Sequence, residues 1–250
     1  LSIVGIAVGV ELLPDVARQL RAGDTAGVMD SQNRSLEFAM LLTVPATLAL
    51  AVIPHDIVRV LFERGAFHPE DTANTASLLA MFALGLPSFV MIKVFSPIYF
   101  AREDTKTPMR YAVISLTANT IGSIVLFFVL RELGMMPQLG IAIATTLGGW
   151  LNAYLLWAKL RKHDDFIADA RLRRNVPLII VASIAMVGAL LSTSYVLSPY
   201  LGADAKFLEK TAALAVEIGV GISVFGLLIL AFGVMSLRQL GTFVRRRGKA

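Results

Sequence analysis

The sequence predicts an all-α fold, a polytopic bundle of transmembrane helices with about six complete spans and one truncated N-terminal span. Hydrophobic residues make up 56% of the 250 residues and charged residues only 16%, whereas soluble domains are normally far more polar. The apolar residues form long uninterrupted runs without the alternation of β-strands, which favours helices over a transmembrane barrel.

The elements follow from those runs, because a helix needs about 20 apolar residues to cross a bilayer core of about 30 Å. Residues 1–13 are typical of the end of a span, and the natural protein is expected to extend further at its N-terminus. The stretch from Val16 to Met29 mixes apolar and charged residues around Gly23-Asp24, which predicts a short interfacial helix and a turn. The complete spans are predicted at 36–53, 73–101, 111–130, 139–158, 176–197 and 211–235.

The connections between these spans predict the orientation of the chain. Lys and Arg are retained on the cytoplasmic side, and they are distributed very unequally between alternate connections. Five lie in one set: Arg59, Arg64, Arg131, Lys206 and Lys210. Seventeen lie in the other, and that set includes the C-terminal tail: Arg18, Arg21, Arg34, Arg102, Lys106, Arg110, Lys159, Arg161, Lys162, Arg171, Arg173, Arg174, Arg238, Arg245, Arg246, Arg247 and Lys249. The sequence therefore predicts a multi-pass protein of the bacterial inner membrane with a cytoplasmic C-terminus.

Composition excludes several kinds of chemistry. The chain has no cysteine and only scattered histidines, and it lacks a glycine-rich phosphate loop, so we predict no catalytic residue, no metal site and no cofactor. The net charge of +5 comes from residues between apolar runs, which fits membrane lipids as partners and argues against nucleic acid. A membrane enzyme acting on polyprenyl phosphates is the alternative of a different class, and it would depend on His163, Asp164 and Asp165.

Three ionisable residues lie within apolar spans, where a charge costs about 2.5 to 3.5 kcal/mol at the helix centre on insertion scales. Lys93 is either a cation facing a hydrated cavity or a side chain that extends to the interface. Glu217 is either a group that couples to a proton or cation, or a side chain packed against a polar neighbour. Glu11 lies near the end of the truncated span, and we expect it to reach the interface.

Three local strings carry a resemblance to a known family. They are Gly5 to Pro14, Leu61 to Phe67 with the sequence LFERGAF, and Lys93 to Pro108, which ends in DTKTP. In order and spacing they resemble the second half of the MurJ (MviN) family, the lipid II flippases of the multidrug/oligosaccharidyl-lipid/polysaccharide exporter superfamily. The resemblance extends over essentially the whole chain.

This resemblance implies a transporter rather than an enzyme. Family members move undecaprenyl-pyrophosphate-linked peptidoglycan precursor, lipid II, from the inner to the outer leaflet by alternating access, which cell wall synthesis requires. Residues 1–160 would be the C-terminal lobe, with helices resembling the eighth to the twelfth. Residues 161–250 would be a cytoplasmic loop and two additional helices. The partners would be lipid II, membrane lipids and the missing N-terminal lobe.

The resemblance also implies candidate residues for the substrate path or gate. Lys93 and the loop from Arg102 to Pro108 match the family motif, and this loop is expected to shape the cytoplasmic gate. The candidates within the loop are Arg102, Asp104, Thr105, Lys106, Thr107 and Pro108. A cap and turn before the next helix is the structural alternative for Asp104 to Pro108. Another exporter of the superfamily, for O-antigen-linked lipid or drugs, is the alternative function.

Overall fold

The structure is a computed structural model that describes residues 14–235, apart from 15, 164 and 203–205, and this part of the chain is almost entirely helical. Residues 16–21 are helical and lead into longer elements. These are α1 (Thr25–Val52), α2 (Pro54–Phe62), α3 (Pro69–Ala83), α4 (Leu86–Ala101), α5 (Lys106–Glu132), α6 (Gln138–Lys162), α7 (Ala170–Leu201) and α8 (Phe207–Ala231).

Six candidate membrane spans are present among the described residues, and they confirm the predicted all-α transmembrane fold. Five are single helices, α1 and α5 to α8, while α3 and α4 together form the sixth over 69–101. Most spans extend beyond their predicted apolar runs because polar residues continue the helix past the hydrocarbon region. The predicted truncated span and its Glu11 lie outside the described residues, as does the basic segment after 235.

The prediction of one interfacial helix and turn over Val16 to Met29 is wrong in its extent. Gly23 adopts a left-handed backbone with φ of 72°, which ends the short helix over 16–21. The Asp24 carboxylate then accepts a hydrogen bond from the Gly27 N–H at 2.8 Å and caps a new helix. Residues 25–29 consequently belong to the first long helix.

Among the described residues, two short interruptions separate consecutive helices, and proline lies at or near each of them. Helix α1 ends before Ile53, and α2 begins at Pro54, where the missing N–H costs nothing in a first turn. Helix α3 ends before Leu84, and Pro87 lies in the first turn of α4. Pro87 therefore marks a break, whereas Pro45 and Pro97 lie inside continuous helices.

Helix α1 is the central element, because it packs against α3, α4 and α7. Helices α5 and α6 form a hairpin, as do α7 and α8. One apolar core joins α1, α4 and α6 to the segment before α7, and it includes Phe95, Ile98, Tyr99, Leu156 and Phe166. A second joins the α1–α2 break to α7 and α8 and includes Ile53, Leu190 and Leu214.

Helix α5 is exposed along most of its length. Only 6% of its most apolar window is buried within the described chain, compared with 44% for α1. Its exposed side chains are large and apolar, such as Leu116, Ile121 and Phe128. In a bilayer this surface needs no cover by protein, because hydrocarbon chains solvate it.

Candidate functional site

The predicted gate loop is the connection between α4 and α5. Its backbone turns back onto the end of α4, where the Tyr99 carbonyl accepts hydrogen bonds from the N–H groups of Arg102 at 3.0 Å and Asp104 at 2.9 Å. Glu103 between them has a left-handed φ of 61°. Asp104 Oδ1 accepts a hydrogen bond from the Thr107 N–H at 3.0 Å, which satisfies one of the free donors at the start of α5. The loop therefore contains the cap and turn that the sequence offered as the structural alternative, and its role as a gate stays a prediction.

The same loop is fixed to α6 and to the segment that follows it. Lys159 Nζ donates a hydrogen bond to Thr107 Oγ1 at 2.7 Å and lies 3.7 Å from Asp104 Oδ2. Arg102 forms an ion pair with Asp165, and the Tyr99 hydroxyl donates to the Leu156 carbonyl at 2.7 Å. These contacts connect the ends of α4, α5 and α6 into one unit.

Asp104 is the electrostatic centre of this unit. Its carboxylate accepts hydrogen bonds from the side chain and backbone of Thr107, and the positive charge of Lys159 adds to them. Together these interactions hold the pKa of Asp104 below its ordinary value, against a smaller opposing effect of burial. Asp104 therefore stays charged at any physiological pH.

The remaining loop candidates differ in exposure. Thr105 and Lys106 are exposed, whereas Pro108 is buried in the first turn of α5. Lys93 is half-buried on α4, eight residues before Ala101 and therefore about 12 Å along the helix axis. Among the described residues it has no hydrogen bond or ion pair, so it is a cation inside the span without a fixed partner.

Glu217 lies apart from this loop, on α8, which packs against α7 and α2. Its side chain is fully buried, and neither carboxylate oxygen has a hydrogen-bond partner among the described residues. The sequence candidates thus fall into separate places: a loop at one end of the bundle, a lysine within α4, and a carboxylate in the α7–α8 hairpin.

A buried polar cluster that was not predicted from the sequence joins α1 to the start of α7. Glu37 accepts hydrogen bonds from Arg171 at 3.2 Å and from Asn175 at 2.7 Å, and Arg34 pairs with it too. Arg34 also pairs with Asp169. In the sequence, Glu37 stands just inside a predicted span and three residues after Arg34. Oppositely charged residues at this spacing are neighbours on a helix, so the pair could have indicated the cluster.

A second missed cluster lies at the opposite end of the bundle, around Glu63 of the LFERGAF string. Its carboxylate accepts a hydrogen bond from the Thr72 hydroxyl at 2.8 Å and lies 3.4 Å from Arg59 Nε and 3.9 Å from Lys210 Nζ. Burial alone would raise the pKa of Glu63, but the hydrogen bond and the two positive charges outweigh burial and lower it. Arg59 also donates to the Leu201 carbonyl at 2.9 Å, so the cluster joins α2, α3, α7 and α8.

A cavity of about 470 Å³ opens near the end of the bundle where the gate loop lies. It lies where α6 ends and α7 begins. Its lining includes two guanidinium groups and two aromatic rings, a combination suited to an anionic head group. The lining residues are Trp157, Arg161, Phe166, Ile167, Ala168 and Arg173.

Comparison with known proteins decides the family. The family model described as "Lipid II flippase MurJ" matches residues 1–208. The chain belongs to the MurJ lipid II flippase family. Among curated MurJ relatives, "Probable lipid II flippase MurJ" of Rhizobium tropici is 39% identical over all 250 residues, which is 46% of its own length. The protein of the same name from Rickettsia prowazekii is 31% identical over 90% of this chain and 43% of its own.

A solved MurJ structure shares the fold. The structure titled "Lipid II flippase MurJ, inward closed conformation" matches 92% of this chain with a TM-score of 0.67 and 24% sequence identity, over 43% of that chain. This chain thus spans about half the length of the MurJ proteins it matches. The family resemblance drawn from the three sequence strings is confirmed, and so is the multi-pass membrane character.

Proposed function

We propose that this chain is the second half of a flippase that moves lipid II from the inner to the outer leaflet of the bacterial inner membrane. The observation that supports it is the MurJ family match over 1–208, together with relatives named as probable lipid II flippases across the whole chain. The opposing lobe, in the first half of those relatives, would complete a cavity for the head group. The chain is a transporter component in this proposal and has no catalytic role.

The candidate gate acts at the cytoplasmic end in this proposal. Because Lys159, Asp104, Arg102 and Asp165 tie the loop to α6 and its following segment, the ends of α4, α5 and α6 move as one body. Rigid movement of such a unit is what alternating access requires of a gate. The half-buried Lys93 and the nearby arginine-lined cavity offer positive charge to a pyrophosphate on the same side.

Depletion of the full-length protein in its own bacterium tests the proposal. Lipid II exposed on the outer leaflet is measured before and after depletion. We expect exposure to fall while precursor accumulates inside, with rescue by the full-length protein but not by residues 1–250 of this chain alone. Unchanged exposure in a strain without another flippase would refute lipid II as the substrate.

A further inference from the structure

Glu217 and Ser194 lie at the same level of the α7–α8 hairpin. The two helices run antiparallel, and a Cβ built on Gly221 would lie 2.8 Å from Leu190 Cδ2, so these two residues are directly opposed. One turn further along each helix leads to Ser194 on α7 and to Glu217 on α8. The pairing continues outward, since Leu197 and Leu214 belong to the same apolar cluster.

A second carboxylate, that of Asp56 on α2, lies beside Ser194 and Glu217. The Ser194 hydroxyl donates a hydrogen bond to Asp56 Oδ2 at 2.9 Å, and Asp56 is half-buried in the first turn of α2. The break at Ile53 makes this possible, because it lets a new helix begin within the bundle beside α8. Three elements therefore bring two acids and one hydroxyl together.

The two acids are in different situations. Asp56 accepts a hydrogen bond from the Ser194 hydroxyl. Glu217 is 0% exposed, and neither of its carboxylate oxygens has a hydrogen-bond partner among the described residues. Ile53, Leu190 and Leu214 surround the level with hydrocarbon. An ionised carboxylate without a partner in such a place is strongly unfavourable, whereas the neutral acid is tolerated.

The Arg and Lys side chains of the helices around Glu217 either pair with other groups or lie at the opposite end of the bundle. On α2, Arg59 is engaged by Glu63 and the Leu201 carbonyl, and His55 is next to Asp56 in sequence. On α8 itself, Glu209 and Lys210 lie about two turns nearer the helix start, where Lys210 faces Glu63. The charged residues of α1 and α7 lie towards the opposite end of the bundle: Asp30, Arg34, Glu37, Arg171, Arg173 and Arg174.

We propose that Glu217, beside the Ser194–Asp56 pair, is a reversible proton-binding site inside the membrane. A metal ion fits less well, because hard cations require six or more oxygen ligands and this level offers two carboxylates and one hydroxyl. A proton needs only the carboxylate itself. The half-buried Asp56, linked to Ser194, provides the polar connection through which the proton exchanges. The site is independent of lipid II, so it stands or falls separately from the proposed substrate.

Infrared difference spectroscopy tests the site in the full-length protein reconstituted in lipid vesicles. We expect a protonated-carboxyl band that shifts on exchange into D₂O and disappears reversibly when the sample is titrated to alkaline pH. Glu217→Gln removes that band. The matched control is Glu132→Gln, which alters an exposed carboxylate at the end of α5 and leaves the band intact.

Asp56→Asn provides a second measurement. The variant removes the carboxylate that accepts the Ser194 hydrogen bond, so exchange of the Glu217 band into D₂O is expected to slow. Two results would overturn the proposal: survival of the band in Glu217→Gln, or a band that belongs to Glu217 but does not change across the pH range. The second result would make Glu217 a permanently neutral packing residue.

Discussion

At the scale of single residues, the polar side chains of this bundle act mainly as connectors between helix ends. Asp104 and Glu63 stand at opposite ends, and each is held ionised by a nearby threonine and by positive charge. Their threonine partners, Thr107 and Thr72, lie within nine residues of them in sequence, while Lys159 and Lys210 come from distant helices. Substitutions at these positions can distinguish the stability that comes from local hydrogen bonds from the stability that comes from ion pairs between helices.

Replacement of Asp104 by Ala removes the acceptor for the Thr107 N–H and one partner of Lys159. A lost N-terminal cap costs about 1 kcal/mol, so the full-length protein in detergent should unfold at a lower temperature than the wild type. Asp104→Asn is the matched control, because its amide oxygen still accepts the bond. Equal melting temperatures for Asp104→Ala and wild type would contradict the capping role.

The lowered pKa of Asp104 also predicts how its contribution to stability changes with pH. A carboxylate whose pKa is lower in the folded state stabilises the protein above its unfolded pKa, and this contribution disappears as the pH falls through the lowered folded value. The difference in melting temperature between wild type and Asp104→Ala should therefore be constant near neutrality and shrink under acid conditions. A difference that grew on acidification would have the wrong sign.

Thr72→Val tests the buried carboxylate at the other end. The variant keeps the shape of the side chain but removes the hydroxyl that donates to Glu63, at a cost of about 1 kcal/mol in the free energy of unfolding. The pKa of Glu63 should rise towards its ordinary value, since one of the interactions that lower it is gone. Thr72→Ser retains the hydroxyl and should melt close to the wild type, whereas equal destabilisation by both variants would point to lost packing.

At the scale of helices, apolar run length predicted the six spans, but it did not predict where they are interrupted. The run 73–101 contains Gly85 and Pro87, and proline alone does not distinguish a break from a tolerated kink, as Pro97 within α4 shows. The difference arises from neighbouring helices. The Thr146 hydroxyl of α6 donates to the Met81 carbonyl at 2.8 Å, and Trp150 Nε1 donates to the Leu84 carbonyl at 3.0 Å. These side chains satisfy carbonyl groups at the interruption.

In the candidate site, too, local contacts could be predicted from the sequence, whereas contacts between helices could not. The cap at Asp104 is local, so the spacing to Thr107 was enough to foresee it. The partners of Glu37 on α7, Arg171 and Asn175, and the Arg102–Asp165 pair lie far apart in the sequence, and no pattern within one helix reveals such partners. The sequence identified Glu217 as unusual, but the antiparallel pairing of α7 and α8 was needed to find Ser194 beside it.

Close packing within the α5–α6 hairpin gives a prediction at the helix scale. A Cβ at Gly140 would lie 2.6 Å from the Leu126 carbonyl carbon, and a backbone cannot move aside as a flexible side chain can. Gly140→Ala should therefore destabilise the protein by about 1 to 3 kcal/mol, seen as a lower melting temperature. Gly188→Ala is the control, since a Cβ there meets nothing within 4 Å. If the two variants melt alike, the hairpin is less tightly packed than the structure indicates.

At the scale of the whole molecule, the helices connect two ends of different character. The end that contains the α4–α5 loop and the α6–α7 connection has most of the basic residues, whereas the Glu63 cluster and the ends of α2, α5 and α7 lie at the other. The basic excess predicts that the first end is cytoplasmic, and a cytoplasmic C-terminus follows from the same rule. The proposed gate and the arginine-lined cavity would then both meet lipid II on the side where it is made.

Cysteine labelling measures this orientation directly, and the chain contributes no cysteine of its own to the background. Lys162 and Glu132 are exposed residues at the ends of α6 and α5, which lie at opposite ends of the bundle. In a full-length protein without other cysteines, Glu132→Cys should react with a membrane-impermeant maleimide in intact spheroplasts. Lys162→Cys should react only after the membrane is opened, and both should react equally in detergent. The reverse pattern would place the gate loop on the outer side, and the proposal that Arg102 to Pro108 form a cytoplasmic gate would then be wrong.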